Sequence, residues 1–313
     1  MNTDEIKDEL VHTSSRFDCC VRAEICAAAL LSGGISFRGF GRYSLAISVT
    51  RVNISRYYFS LIKRFLGVTP EIQTTKVDKL GEITKYELRI PDENVDDALE
   101  KLCLKDDSAL FGIRSAPAPE VIESPCCKSA FLKSVFLTTG SITNPEKSYS
   151  LTVTCAGEEM ARALQDIMAS WDISCGASIR RQQYVVYIKQ FDSLRTFFAA
   201  TGAHSAVLKL DDLHIIKQMK VQVNRQSNCD NNNILRTVNS ANRQIDDILL
   251  LDQVIGLEHL PIWAREIARL RLEDPDATLT EIGEACEPPL TKTCVSKRFA
   301  KIAKLAENVR SSD

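Results

Sequence analysis

The residues with the clearest capacity for chemistry are two pairs of adjacent cysteines, Cys19-Cys20 and Cys126-Cys127. Converging thiolates hold zinc and other soft metals in proteins. The chain has eleven cysteines but no Cys-x-x-Cys pair, and its four histidines are scattered. Adjacent residues at the start of a helix point in different directions, so each pair should chelate poorly. The pattern therefore predicts no metal site and no cofactor, and the cysteines are interpreted as small packing residues.

A second signal is the segregation of charge. The net charge is −2, yet residues 25–70 hold six Lys or Arg and no acid. A surface without carboxylates does not repel phosphates and permits counterion release when it binds a polyanion. For any single residue a solvated charge is the alternative, but the pattern favours nucleic acid. Basic residues expected on strands or their turns are Arg38, Arg42, Lys147, Arg180, Arg181 and Lys189.

The C-terminal residues separate charge in the same way. Leu257–Glu287 has eight acids against three bases, and Lys292–Arg310 has six bases against one acid. The pattern predicts a helix over about Ile262–Glu273 and a second helix that starts at a capping box at Thr278. A third helix should start near Thr291, with a buried stripe at every third or fourth residue.

Two short helices before a basic third helix are typical of a helix-turn-helix unit, whose last helix enters the major groove. An ordinary helical hairpin with a solvated basic face is the alternative. The residue types at the start of the third helix suit phosphate and base-edge contacts. The predicted DNA-binding residues there are Thr291, Lys292, Thr293, Ser296, Lys297, Arg298 and Lys301.

An internal repeat must position the other candidate residues. Residues 19–35 (CCVRAEICAAALLSGGI) align with residues 126–142 (CCKSAFLKSVFLTTGSI), and two further matches follow at similar offsets. Each repeat indicates a helix that stops at a glycine, a strand, an amphipathic helix, a second strand and a closing helix. In the first strand, Leu45, Ile47 and Val49 are predicted to lie on one inward face. The expected fold class is α+β, a duplicated pseudo-symmetric α/β domain followed by an all-α domain.

The expected boundaries are 1–115 for the first repeat with its N-terminal region, 116–220 for the second, 221–257 for a linker with a long helix, and 258–313 for the helix-turn-helix. The asparagines of Asn228–Asn233 predict a turn before the long helix. The apolar face predicted for that helix consists of Ile234, Val238, Ala241, Ile245 and Ile248.

The repeat resembles the LAGLIDADG homing-endonuclease fold, most clearly at Phe131–Ile142, although a duplicated α/β domain of another kind is the alternative. The resemblance implies two central helices at a pseudo-twofold axis and two curved sheets that form a saddle over DNA. LAGLIDADG enzymes hold a divalent cation with an acid just before the motif's last glycine. Ser32 and Thr139 occupy those positions here, and no nearby carboxylate replaces them. We therefore expect no catalytic residues.

Together with the helix-turn-helix, these features resemble the WhiA family of bacterial sporulation and cell-division regulators. Other supporting segments are NPEKSY at 144–149, TGAH at 201–204, the residues around Asn228–Asn233, and DPDATLTEIGE at 274–284. The resemblance implies a regulator that binds double-stranded promoter DNA and, in actinobacterial relatives, a WhiB-type iron–sulfur partner.

Two other functions stay open, an active homing endonuclease with displaced acids and a structural nucleoid or division protein. No stretch predicts a signal peptide or a membrane span. The expected location is therefore cytoplasmic, in association with the nucleoid.

Overall fold

The computed structural model describes residues 1–13, 15–39, 42–78, 82–106, 109, 112–145 and 148–311. The chain forms two compact units, Met1–Ile216 and Lys217–Asp313. Within the described ranges, no helix is both long and apolar enough to cross a membrane.

The first unit contains the two predicted repeats after an initial helix, α1 (Thr3–His12). The first repeat contains α2 (Asp18–Ser32), β1 (Gly33–Gly39), β2 (Arg42–Val49), α3 (Val52–Leu66), β3 (Glu71–Asp78), β4 (Glu82–Arg89) and α4 (Val95–Lys101). The second contains α5 (Pro125–Thr138), β5 (Gly140–Ile142), β6 (Leu151–Cys155), α6 (Glu158–Ala169), β7 (Gly176–Arg180), β8 (Gln183–Ile188) and α7 (Phe191–Thr201).

Each repeat folds into one antiparallel four-stranded sheet, ordered β1-β2-β4-β3 and β5-β6-β8-β7. The predicted duplicated α+β architecture is therefore confirmed. The prediction of single strands around the middle helix is wrong, because each of them is half of a hairpin. The glycine-rich β1 and the three-residue β5 lack the alternation that marks a strand in the sequence.

The central helices α2 and α5 turn directly into strands at Gly33 and Gly140. A Cβ at Gly33 would overlap the carbonyl oxygen of Ala29, and one at Gly140 would lie 2.6 Å from the Cα of Phe136. Gly33 has a φ of −82°, outside the left-handed region. The glycines are needed because each strand starts against the last helical turn, and not because a left-handed cap ends the helix.

Apolar side chains on one face of each sheet form the core that both repeats share. Leu45, Ile47 and Val49 on β2 are buried, and so are Leu151 and Val153 on β6. The helices α2 and α5 pack against each other in the middle of this core. The predicted inward face of the first repeat's strand is confirmed.

A buried polar network joins α2 to α5. The Nζ of Lys133 lies 3.5 Å from Oε1 of Glu24, and both side chains are buried. Lys133 also donates to the Tyr57 hydroxyl at 2.6 Å, and Tyr57 donates to the Glu24 carboxylate. The Ser134 hydroxyl donates to the backbone carbonyl of Glu24 at 2.6 Å. Burial raises the pKa of Glu24 and lowers that of Lys133, and in each case the partner's opposite charge counteracts the shift.

The helix α8 (His204–Val254) is continuous across 51 residues. The predicted turn at Asn228–Asn233 is therefore wrong. No Gly or Pro lies between Gly202 and Gly256. An asparagine costs a helix interior only about 0.7 kcal/mol relative to alanine, and flanking helix propagates at little cost.

Contacts at its ends define where α8 packs. The Glu9 carboxylate of α1 accepts hydrogen bonds from the backbone N–H groups of Ser205 at 2.7 Å and Ala206 at 3.2 Å. Of the apolar face predicted for its second half, Ala241 and Ile248 are buried, but Ile234 is 60% exposed. Packing of α8 in the second unit therefore begins later than the sequence pattern predicts.

The second unit ends in the three predicted helices, α9 (Ile262–Glu273), α10 (Leu279–Ala285) and α11 (Lys292–Arg310). The capping box at Thr278 and Glu281 is present, and the Thr291 hydroxyl caps α11. The helices share a core with the end of α8. The buried residues from α11 are Val295, Phe299, Ile302 and Ala306.

Arg271 lies inside this small core with 2% of its surface exposed. Its guanidinium donates to Gln244 at 3.1 Å and to the carbonyl oxygens of Pro275 and Ala277 at 3.1 and 2.6 Å. The same group lies 5.5 Å from the centroid of the Phe299 ring. Arg271 therefore links α8 and α11 to the connection between α9 and α10.

The glycine at the end of α5 provides a test of this fold. Gly140→Ala should destabilise the first unit by about 1–3 kcal/mol, since its Cβ would overlap the backbone of Phe136. The chain has two tryptophans, and Trp171 lies in the first unit. Urea unfolding followed by fluorescence in a Trp263→Phe background therefore reports that unit alone.

Gly34→Ala is the matched control, because a Cβ there meets nothing within 4 Å. It should change the free energy of unfolding by no more than about 0.5 kcal/mol. Equal effects of the two substitutions would contradict the proposed close approach.

Candidate nucleic-acid interface

The first two turns of α11 carry an exposed polar surface. The buried stripe that begins at Val295 turns the other side chains away from the core. The exposed residues are Thr291, Lys292, Thr293, Ser296 and Lys297. The structure therefore brings together five of the seven predicted helix residues on one free surface.

A tight connection sets the position of α11 relative to α10. The backbone N–H of Leu290 donates to the carbonyl of Gly283 at 2.8 Å. A Cβ at Gly283 would overlap the Leu290 carbonyl oxygen and would come within 3.2 Å of Val295. Only glycine permits this approach, so the angle between the two helices depends on it.

Arg298 and Lys301 differ from the other predicted contacts because they lie against α9. Arg298 donates to the Trp263 carbonyl at 3.5 Å and lies 3.9 Å from Glu266, with its side chain 25% exposed. The Nζ of Lys301 lies 5.5 Å from the centroid of the Trp263 ring, although the residue is exposed. Part of the positive charge counted on α11 therefore serves contacts within the unit.

The sheet of the second repeat has one face against the core, while the opposite face is partly exposed, with Val185 buried on it and Arg180 and Lys189 exposed. Leu151 and Val153 are buried, so Thr152 and Thr154 lie on the opposite face, and Thr152 pairs with Tyr187. We call this opposite face the second-sheet face. Its residues are Ser141, Thr152, Thr154, Ser178, Arg180, Val185, Tyr187 and Lys189. None of them is acidic, which suits contact with phosphates.

Arginines occupy the tip of the β7–β8 hairpin. Arg180 pairs with Gln183, so Arg181 and Gln182 form a two-residue turn. Their φ angles are 47° and 65°, in the left-handed region that such turns require and that glycine or asparagine usually fills. Arg180 and Arg181 are both exposed.

An ordered cation lies near the end of the same face. The Nζ of Lys189 is 4.7 Å from the centroid of the Tyr187 ring. The ring covers Gly176, where a Cβ would lie 2.6 Å from the Tyr187 Cζ. Lys189 is therefore held on the second-sheet face.

Fewer basic residues of the first repeat are available to contact nucleic acid than their number implies. Arg51 forms ion pairs with Asp8 at 2.9 Å and with Asp4, and Arg64 pairs with Asp18 at 3.1 Å. These acids lie outside the acid-free stretch and come from α1 and α2. The six charges of that stretch are therefore partly neutralised.

The open face of the first sheet also mixes signs. Glu71 pairs with Arg89, and Gln73 pairs with Glu87. Arg38 lies on β1 and Arg42 begins β2, but their side chains, like the whole of Lys147, are outside the described residues. Among described side chains, the second-sheet face is the better candidate for a polyanion.

At the two positions where LAGLIDADG enzymes have catalytic acids, this chain has residues with hydroxyl groups, Ser32 and Thr139. The Ser32 hydroxyl donates to the Ala28 carbonyl at 3.0 Å. The Thr139 Oγ1 is buried and has no hydrogen-bond partner among the described residues. A pocket of about 450 Å³ lies beside Gly33, and none of its described lining residues is acidic. These residues supply no charged ligand for a divalent cation.

The four paired cysteines converge. Their Sγ atoms all lie within 4.8 Å of one another at the first turns of α2 and α5. The prediction that the cysteine side chains point apart and chelate poorly is wrong, because it considered each pair alone. The two helices start side by side, so each pair completes the other.

Comparison with known proteins agrees with this architecture. Three family models match: the WhiA N-terminal LAGLIDADG-like domain over residues 18–105, the WhiA LAGLIDADG-like domain over 128–220, and the WhiA C-terminal HTH domain over 223–306. A "Probable cell division protein WhiA" of Brevibacillus brevis is 36% identical over 94% of this chain and 92% of its own length. One of Caldicellulosiruptor saccharolyticus is 35% identical over 98% and 93%.

A solved structure extends the likeness to three dimensions. The crystal structure of full-length DUF199/WhiA from Thermotoga maritima has a TM-score of 0.58 and 25% identity, and covers 97% of each chain. The matched domains follow the same order as the repeats and the helix-turn-helix described above. With three family models along its length and relatives more than 30% identical across nearly all of it, the chain belongs to the WhiA family.

Proposed function

We propose that this protein is a sequence-specific DNA-binding transcription regulator without nuclease activity. The observation that carries the proposal is the exposed, acid-free start of α11 at the end of a capped helix-turn-helix. A helix presented in this way inserts its N-terminal residues into the major groove, where base edges carry a unique code.

The residues at the start of α11 divide into two kinds of contact. Thr293 and Ser296 have short hydroxyl side chains that donate to or accept from base edges. Lys292 and Lys297 have longer cationic side chains that reach backbone phosphates. Arg298 is held against α9, so its main contribution is to the position of α11.

The second-sheet face is proposed to add phosphate contacts that carry no sequence information. Arg180 and Arg181 stand at the hairpin tip, and Lys189 lies farther along the same sheet. Arginine binds phosphate in a bidentate manner, and the absence of acids on this face removes repulsion. The start of α11 would then discriminate between DNA sequences, and the second-sheet face would add affinity for any duplex.

The proposed absence of cleavage rests on Ser32 and Thr139. A neutral hydroxyl is a poor substitute for the carboxylate that holds Mg²⁺ at a scissile phosphate. Relatives bear the name "Probable cell division protein WhiA", so genes of division or sporulation are the proposed targets. Location at the nucleoid follows from DNA binding, and a WhiB-type partner stays a prediction from the family resemblance.

Lys297→Ala tests the recognition helix, once genome-wide footprinting of the tagged protein has defined an operator. Loss of one phosphate contact should weaken binding and reduce the magnitude of the salt slope by about 1. Lys304→Ala is the matched control, since Lys304 is also exposed on α11 but lies two turns later. Fluorescence anisotropy over a salt series measures both.

Arg298→Ala completes this comparison. It should lower the thermal stability of the second unit, because its contacts with Trp263 and Glu266 are lost. If Lys297→Ala and Lys304→Ala left operator affinity and salt slope equally unchanged, α11 would not be the recognition helix.

A double variant at the hairpin tip, Arg180→Gln with Arg181→Asn, tests the second-sheet face. Asparagine tolerates the positive φ of position 181, so the turn should survive while two charges are removed. The salt slope should fall by about 2 for operator and for random duplex alike. A loss confined to the operator would instead assign base reading to this hairpin.

The absence of nuclease activity is tested directly with operator-bearing supercoiled plasmid. The purified chain should leave the plasmid intact with Mg²⁺ or Mn²⁺, because neither Ser32 nor Thr139 is an acid. Metal-dependent double-strand cleavage that disappears when a carboxylate is replaced would establish the endonuclease instead. Binding that lacks any sequence preference would favour a structural nucleoid protein.

A further inference from the structure

We propose that Cys19, Cys20, Cys126 and Cys127 bind a single zinc ion that joins the first turns of α2 and α5. This site shares no residue with either surface proposed to contact DNA, and the inference does not depend on DNA binding. Each repeat contributes one cysteine pair, so the ion would connect the two repeats at their central contact.

The distances between the sulfur atoms fit a single tetrahedral ion. The Sγ atoms are 4.0 Å apart within each pair, and all four lie within 4.8 Å. Four sulfurs at the usual Zn–S distance of about 2.3 Å stand about 3.8 Å from one another. Small side-chain rotations are therefore enough to close the site. An iron–sulfur cluster would require wider spacing, because iron and sulfide ions lie between the cysteines.

The position of the cysteines on the helices favours the thiolate form that zinc requires. Cys19 and Cys20 are the second and third residues of α2, and Cys126 and Cys127 hold the same places in α5. Backbone N–H groups at a helix start create a partial positive charge that stabilises thiolates. Four thiolates around one zinc ion carry a net negative charge. Because the starts of α2 and α5 meet here, their backbone N–H groups compensate that charge.

The site combines a protected side with an open side. Cys20 and Cys127 are buried, whereas Cys19 and Cys126 are exposed, which gives an ion a path of entry. A cysteine thiol must lose its proton to bind zinc, so zinc binding should release protons.

Metal content of the full chain is the first measurement. Protein purified anaerobically with a reductant should contain one zinc ion per chain, as measured by inductively coupled plasma mass spectrometry. Replacement with Co²⁺ should give sulfur-to-cobalt charge-transfer bands and the intense visible bands of a tetrahedral thiolate site. Removal of zinc by a chelator should lower the melting temperature of the first unit, and added zinc should restore it.

Single substitutions at the exposed ligands, Cys19→Ser and Cys126→Ser, test the assignment with little risk to the core. Each should weaken Co²⁺ binding by more than about 100-fold, since even residues that only orient ligands affect affinity by about 10- to 100-fold. Cys229→Ser is the matched control, because Cys229 is an exposed cysteine on α8 outside the cluster. It should retain zinc, the cobalt spectrum and the response to chelator.

Three outcomes would overturn the proposal. The first is a reduced, folded native chain that takes up neither zinc nor cobalt with thiolate spectra. The second is a disulfide between the pairs in protein that was never exposed to oxygen. The third is stoichiometric iron with acid-labile sulfide, which would show a cluster in place of a single ion. The native chain decides between these results even if a cysteine variant fails to fold.

Discussion

The packing of α2 against α5 is the contact on which the rest of the first unit depends. The two helices pack against each other inside the core, and both turn at once into strands at Gly33 and Gly140. The two sheets are therefore attached to one end of the helix pair, and the cysteines lie at the other end. Because no side chain intervenes at the glycines, the position of each sheet follows directly from that of its helix.

The buried Glu24–Lys133 ion pair breaks the pseudo-symmetry of the contact between α2 and α5. At the offset of the repeat, Glu24 corresponds to Phe131, and Lys133 corresponds to Cys26. Each charge therefore has an apolar counterpart in the other repeat, and only the observed pairing neutralises both. Removing either partner would leave an uncompensated buried charge, which is far more costly than the pair itself is stabilising. The two repeats share a fold but are not interchangeable.

The number of basic residues in a segment does not show how many are exposed for binding, because several form ion pairs with acids of other helices. The acids of α9 and α10 do more than separate the basic α11 from the preceding chain, because Glu266 lies near Arg298 and holds it against α9. In the first unit, acids of α1 and α2 similarly engage Arg51 and Arg64. The exposed cations at the start of α11 and on the second-sheet face stand among residues that are not acidic, which is why the proposed function places DNA there.

Features that depend on neighbours in the chain were determined by the sequence alone. The capping box at Thr278, the α11 stripe and the inward face of β2 follow from local hydrogen bonding and periodicity, and the structure confirms them. The continuity of α8 through its asparagines was missed, since propagation from both sides overrides a small local preference. The cysteine cluster and the Glu24–Lys133 pair join residues about a hundred positions apart. Only tertiary packing decided them, because the direction of a side chain across a helix interface depends on where the partner helix lies.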